Sequence, residues 1–163
     1  SNILKSTKDP HQKNGGLKML KGNIGRGVIK ISAVNIDQQK IKAPAMVFDN
    51  QIDVKEAYDK GLLNRDVVIV VRFQGPKANG MPELHALTPI LSNIQDLGFK
   101  VALLTDGRMS GASGKVPAAI HITPEAMDNG VIGKIKDVKI LKVNHNTLFG
   151  ETILGANQKN YAA

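Results

Sequence analysis

LLTDGRMSGASGKVPAAIHITPEA, residues 103–126, is the stretch on which the fold turns. An apolar run, residues 101–104, enters it, and residues 105–114 then carry no large aliphatic side chain except Met109. Gly107, Gly111 and Gly114 sit among Asp106, Arg108, Ser110, Ser113 and Lys115. Glycine admits positive φ and lets a backbone come close to a ligand. Polar side chains at the exit of a buried strand are where α/β folds concentrate binding and catalytic groups. The stretch therefore reads as a buried strand followed by a functional loop.

Upstream, residues 66–73 (DVVIVVRF) form a β-branched run bounded by polar residues, the pattern of a strand buried on both faces. Residues 28–34 alternate as a half-buried strand does, and residues 45–48 make a short one. Residues 53–63 have helical spacing, with Val54, Ala57, Tyr58 and Leu62 on one face, a cap at Asn50 or Asp53 and an end at Gly61. Residues 83–97 also read as a helix, with Leu84, Leu87, Leu91 and Ile94 in register and Gly98 as C-cap. Pro89 should kink or split it, because proline lacks an amide donor. Residues 15–26 read as a glycine-punctuated loop anchored by buried Leu17, Met19 and Leu20. Residues 74–82 are a second loop, and Thr123-Pro124-Glu125 reads as a helix start. Residues 131–135, 139–143 and 147–153 read as short strands, with a hairpin turn at 144–146. Strands at both ends and helices in the middle predict a mixed α/β domain whose barrel-like mixed sheet is flanked by a few helices.

The chain has 163 residues and 42% hydrophobic residues, enough for one domain with a real core. No apolar run approaches the roughly 20 residues of a membrane span, and the first residues lack the apolar core of a secretory signal. With no cysteine, neither a disulfide nor a thiolate metal site can form, which fits the cytoplasm. The formal charge is +8, and +6 of it lies in residues 1–30. That basic segment is either a solvated arm or a surface that packs on an acidic partner. Nucleic-acid binding does not fit, because none of Phe48, Phe73, Phe99, Phe149, Tyr58 and Tyr161 interleaves with the lysines as stacking readers do.

Six side chains stand out for chemistry. Ser110 is either a turn serine or a base, and as a base it needs a metal ion or oriented amides to stabilise its alkoxide. Glu83 either favours a helix dipole or offers a hard oxygen to Mg²⁺. Asp106 and Arg108 either pair with each other or hold the turn, or Arg108 places a carboxylate or phosphate, groups that its guanidinium matches bidentately. Ser113 and Lys115, with Gly114, suit an anion nest with Lys115 as its point charge. They do not make the nucleotide loop G-x-x-x-x-G-K-[ST], since Met109 and Val116 stand at two required positions. Asn79, with Lys77, is placed to help choose a substrate. His85 and His121 default to structural roles, and no histidine pair has metal-ligand spacing.

Three motifs carry a resemblance: residues 15–26 (GGLKMLKGNIGR), residues 75–85 (GPKANGMPELH) and the opening stretch. In that order they resemble the dihydroxy-acid dehydratase / 6-phosphogluconate dehydratase family, over residues 15 to about 154. KANGMPELH and SGASGKVPAAIH look like the 6-phosphogluconate branch. The branched-chain dihydroxy-acid branch has a more glycine-rich first loop and a threonine where Ala112 stands here. The resemblance implies a swivelling β/β/α domain at residues 15–155, the C-terminal catalytic domain of a longer hydro-lyase, with a polar lead-in at 1–14 and a polar tail at 156–163.

It further implies that 6-phospho-D-gluconate loses water to give 2-dehydro-3-deoxy-6-phosphogluconate, in the Entner–Doudoroff pathway. Ser110 would take the C2 proton and Glu83 would ligate Mg²⁺, with Arg108, Ser113, Lys115 and Asn79 around the substrate. A 4Fe–4S iron–sulfur cluster and the other magnesium ligands would sit in an N-terminal domain, and the full-length enzyme would be a cytoplasmic homodimer. Alternatives are another sugar acid or a dihydroxy acid as substrate, or a stand-alone anion-binding module.

Overall fold

The computed structural model describes residues 3–11, 13, 15–110, 115–127, 138–144 and 147–152. Six strands form one mixed sheet: β1 (Leu17–Gly22), β2 (Gly25–Lys30), β3 (Ala45–Phe48), β4 (Val67–Val71), β5 (Val101–Thr105) and β6 (Ala118–Thr123). Their spatial order is β1-β2-β6-β5-β4-β3. The four strands β3 to β6 run parallel, and β2 joins β6 antiparallel, carrying β1 on the outer edge. The sheet is open rather than a closed barrel, with β1 and β3 at its two edges. Among the described residues, strands β7 (Val138–Asn144) and β8 (Thr147–Thr152) pair with each other as a separate two-stranded sheet. The turn expected at 144–146 and the strand expected at 131–135 fall wholly or partly outside the described residues.

Helices α1 (Gln51–Asp59), α2 (Pro76–Asn79) and α3 (Leu87–Asp96) lie in the crossovers between parallel strands. Because side chains alternate along a strand, β4 and β5 present one set to each face. Val67, Ile69, Val71, Val101 and Leu103 meet Val54 and Ala57 of α1 and Leu87, Leu91 and Ile94 of α3 in the main core. Val70, with Val68 and Leu104 beside it, packs on the other face against Ile122 and Ala126. The β-branched run 66–73 is thus covered on both sides, as its sequence predicts.

Four local expectations change. Residues 15–26 are not a loop: they open the β1–β2 hairpin, and Leu17 and Met19 are exposed rather than buried anchors. The first helix is capped by Asn50, whose side chain accepts from the Asp53 amide at 2.9 Å. It ends before Leu62, so that residue is exposed and Leu63 fills the core instead. The second long helix begins at Leu87, not at residue 83. Pro89 therefore falls in the first turn, where the amides have no intrahelical acceptor, and neither kinks nor splits it. Finally, Thr123–Pro124 is a cis peptide, and residues 124–127 are not helical.

Candidate functional site

The parallel strands deliver their C-terminal ends to one edge of the sheet, where open α/β sheets place their sites. Two crossing segments meet there. One is residues 81–85, between β4 and α3; the other is residues 108–110, after β5. Glu83 and Arg108 form a parallel bridge, and the Leu84 amide donates to the Arg108 carbonyl at 3.2 Å. The segments are therefore joined by backbone before any side chain acts.

Glu83 lies at the centre. Its Oε1 accepts from the Ser110 amide at 2.8 Å and from the His85 amide at 3.0 Å. Its Oε2 faces Arg108 Nη1 at 2.9 Å, and Arg108 Nε donates to the Met81 carbonyl at 3.3 Å. The Ser110 amide holds the Glu83 carboxyl below its ordinary pKa; partial burial opposes this, while the Ser110 side chain, Arg108 and the His85 amide add to it. The Glu83 side chain keeps 33% of its surface exposed and Ser110 is exposed, so both face solvent. Met81, just before the glutamate, has φ 57°, a left-handed conformation unusual for a side-chain-bearing residue.

A second carboxylate builds the floor beneath them. Asp106 is 1% exposed; its Oδ1 accepts from the Gln74 amide at 3.0 Å and its Oδ2 from the Ala126 amide at 2.8 Å. It thus ties together the loops that follow β4, β5 and β6. Gly107 is required by this packing, since a Cβ there would come within 2.7 Å of the Gln74 Cβ. Gln74 is itself buried and donates to the carbonyls of Asp49 and Arg72. Glu125 completes the floor, accepting from the Lys77 amide with both oxygens.

Of the residues singled out by sequence, Ser110, Glu83 and Arg108 come together. Of the two structural alternatives for Asp106 and Arg108, mutual pairing does not occur: Asp106 holds the turn, and Arg108 pairs with Glu83. Asn79 is exposed and donates to the Gln74 side chain at 3.3 Å. Lys115 pairs with Asp96 at the C-terminal end of α3. Ser113, Gly111 and Gly114 lie outside the described residues. His85 joins the group although its residue type gave no reason to expect it: its Nδ1 is 3.0 Å from the Ser110 carbonyl. The signal was its place two residues after Glu83, once that segment is read as extended rather than helical. An apolar pocket of about 270 Å³ under the β1–β2 hairpin, lined by Leu20, Ile24, Leu104, Ala119 and Ile122 among others, is separate from this group.

Among the described residues no three His, Asp or Glu side chains gather as a metal-binding group. Glu83 has unused lone pairs and solvent access, so it fits one oxygen ligand of a hard cation, not a whole site. With no cysteine, the chain offers an iron–sulfur cluster no thiolate.

A family model described as "Dihydroxy-acid/6-phosphogluconate dehydratase C-terminal" matches residues 2–150. The chain is 55% identical over its whole length to "Phosphogluconate dehydratase" of Escherichia coli (strain K12), covering 27% of that protein. It is 52% identical, over 97% of its length, to the protein of the same name from Zymomonas mobilis, covering 26% of it. "Dihydroxy-acid dehydratase" of Caldanaerobacter subterraneus is 38% identical over 87% of the chain. The chain thus spans about a quarter of the length of these curated relatives.

Proposed function

The chain belongs to the dihydroxy-acid/6-phosphogluconate dehydratase C-terminal family, and from that membership we propose that it is the C-terminal part of a phosphogluconate dehydratase. The reaction is loss of water from 6-phospho-D-gluconate to give 2-dehydro-3-deoxy-6-phosphogluconate, a step of the Entner–Doudoroff pathway. The observation that carries this reading is the convergence of Ser110 and Glu83, 2.8 Å apart from amide to carboxylate at a solvent-facing edge. Greater identity to the phosphogluconate enzymes than to the dihydroxy-acid enzyme supports the phosphorylated sugar acid as substrate.

In this reading Ser110 Oγ takes the proton from C2. Glu83 is held ionised and can only accept, so the neutral serine hydroxyl donates to it at rest; to act as base the serine first gives that proton to solvent, and its alkoxide then takes the one from C2. The same negative charge opposes the alkoxide, so the serine needs nearby positive charge before it can act as base. Arg108 supplies part of it, and guanidinium N–H groups beyond those bound to Glu83 and Met81 are left to orient the substrate carboxylate. Glu83 would be one oxygen ligand of Mg²⁺, and the bound ion would supply positive charge to this site. Its other ligands, and the cysteines of an iron–sulfur cluster, would belong to the remaining three-quarters of the enzyme, taken here as a cytoplasmic homodimer. No helix among the described residues is long and apolar enough to cross a membrane.

The test is Ser110→Ala in the full-length enzyme, assayed on a panel of 6-phospho-D-gluconate, unphosphorylated sugar acids and a branched dihydroxy acid. Wild type should act on the phosphorylated acid, and the variant should lose about a thousandfold in turnover with its fold unchanged. Retention of more than about a tenth of the activity would remove the serine from the base role.

A further inference from the structure

We propose that His85 is the positioning residue of the serine: it fixes the Ser110 peptide through its Nδ1–H. The inference rests on the reading of Ser110 as the base, and it adds a residue to that site.

The argument starts from the acceptor. A backbone carbonyl can only accept, so the ring nitrogen 3.0 Å from the Ser110 oxygen must carry the hydrogen. Neutral His85 is therefore the Nδ1–H tautomer. The same residue reaches the site a second time, because its amide donates to Glu83 Oε1, the oxygen that also takes the Ser110 amide. Ser110 is thus held at both polar groups of its backbone, by Glu83 at the amide and by His85 at the carbonyl. The contacts between the two segments form a ladder: Met81 carbonyl to Arg108 Nε, Glu83 to Arg108 Nη1, Leu84 amide to Arg108 carbonyl, and Glu83 to the Ser110 amide. His85 is the last rung, on the Ser110 carbonyl.

The rung matters because Ser110 is exposed, and packing does little to fix its backbone. An exposed loop serine samples several orientations unless its peptide plane is pinned. Misplacement of a reacting group by about 1 Å costs on the order of a hundredfold in rate. The exposure of His85 itself argues against a merely structural role, since removing the ring empties no core.

The experiment compares His85→Asn, His85→Gln and His85→Leu in the full-length enzyme. The asparagine amide nitrogen can stand where Nδ1 stands; the glutamine amide nitrogen stands where Nε2 stands. His85→Leu should lower kcat about a hundredfold with KM within about threefold of wild type. His85→Asn should restore most of that loss and His85→Gln should not. Amide hydrogen exchange in the peptide carrying Ser110 should be about tenfold faster in the leucine and glutamine variants, and near wild type in the asparagine variant. Full activity in all three, or rescue by glutamine and not by asparagine, overturns the proposal. If the wild-type enzyme fails to dehydrate 6-phospho-D-gluconate, the functional reading falls by itself, and the exchange rates still decide what His85 holds.

Discussion

Glu83 and Asp106 are the same chemical group put to two uses. Each carboxylate accepts two backbone amides: both are distant in sequence for Asp106, whereas Glu83 takes one from its own segment and one from across the site. Asp106 is sealed, 1% exposed, and its partners are the ends of neighbouring loops. Glu83 stays open to solvent and adds a guanidinium and a serine to its amides. The difference teaches that burial, not hydrogen bonding, separates scaffold from site here. A closed carboxylate with satisfied oxygens fixes geometry, whereas an open one with spare lone pairs can still meet a ligand. The two are linked, because Asp106 sets the position of Gly107, from which the chain runs directly to Arg108 and Ser110.

The contrast can be broken in three places. The largest effect is expected for Glu83→Gln in the full-length enzyme. It should cost about a thousandfold in turnover, about 4 kcal/mol, while the melting temperature moves little. Asp106→Ala should do the reverse in kind, leaving two buried amides without acceptors. A loss of about 3 kcal/mol in stability is expected, a fall of roughly 6–12 °C in melting temperature. Should the alanine variant not accumulate, Asp106→Asn keeps one acceptor and should lose about half as much. If Glu83→Gln unfolds the protein and Asp106→Ala leaves it stable, the two roles have been assigned backwards.

The smallest effect is a pH dependence. The Glu83 carboxyl is held below its ordinary value of 4.5. A lowered pKa means that its contribution to stability is complete above that value and is lost as the pH falls through the lower folded-state pKa. The melting-temperature difference between wild type and Glu83→Gln should therefore shrink as the pH is lowered below the ordinary carboxyl range. A difference that stays constant on acidification would show that the clamp does not favour the charged form.

Much of the fold was legible because burial leaves a pattern. Strands β3, β4 and β5 and the Asn50 cap follow from apolar runs and a capping residue in their expected places. The β1–β2 hairpin was not legible as strands, because β1 is exposed on both faces and leaves no alternation to read. Pro89 read as a break within the helix rather than as a first-turn residue, since the leucine register continues through residue 84. That leucine is buried from an extended segment rather than from the helix. At the site, the sequence offered Ser110 and Glu83 as separate candidates, and only the resemblance joined them. The parallel bridge that brings them together is a backbone contact, and it leaves no mark in side-chain pattern. His85 was hidden for the same reason. Lys115 looked like a ligand contact because its neighbours are small and polar; Asp96, remote in sequence, is its partner.

Both halves of the clamp hang from adjacent parallel strands, β4 and β5, and neither half lies within the sheet. The α2 part of the connection between β4 and α3 can therefore be re-lettered without disturbing a single strand register. A lineage could in this way retune which acid it accepts by editing that short stretch, while Glu83 and His85 farther along keep their hold on the serine opposite.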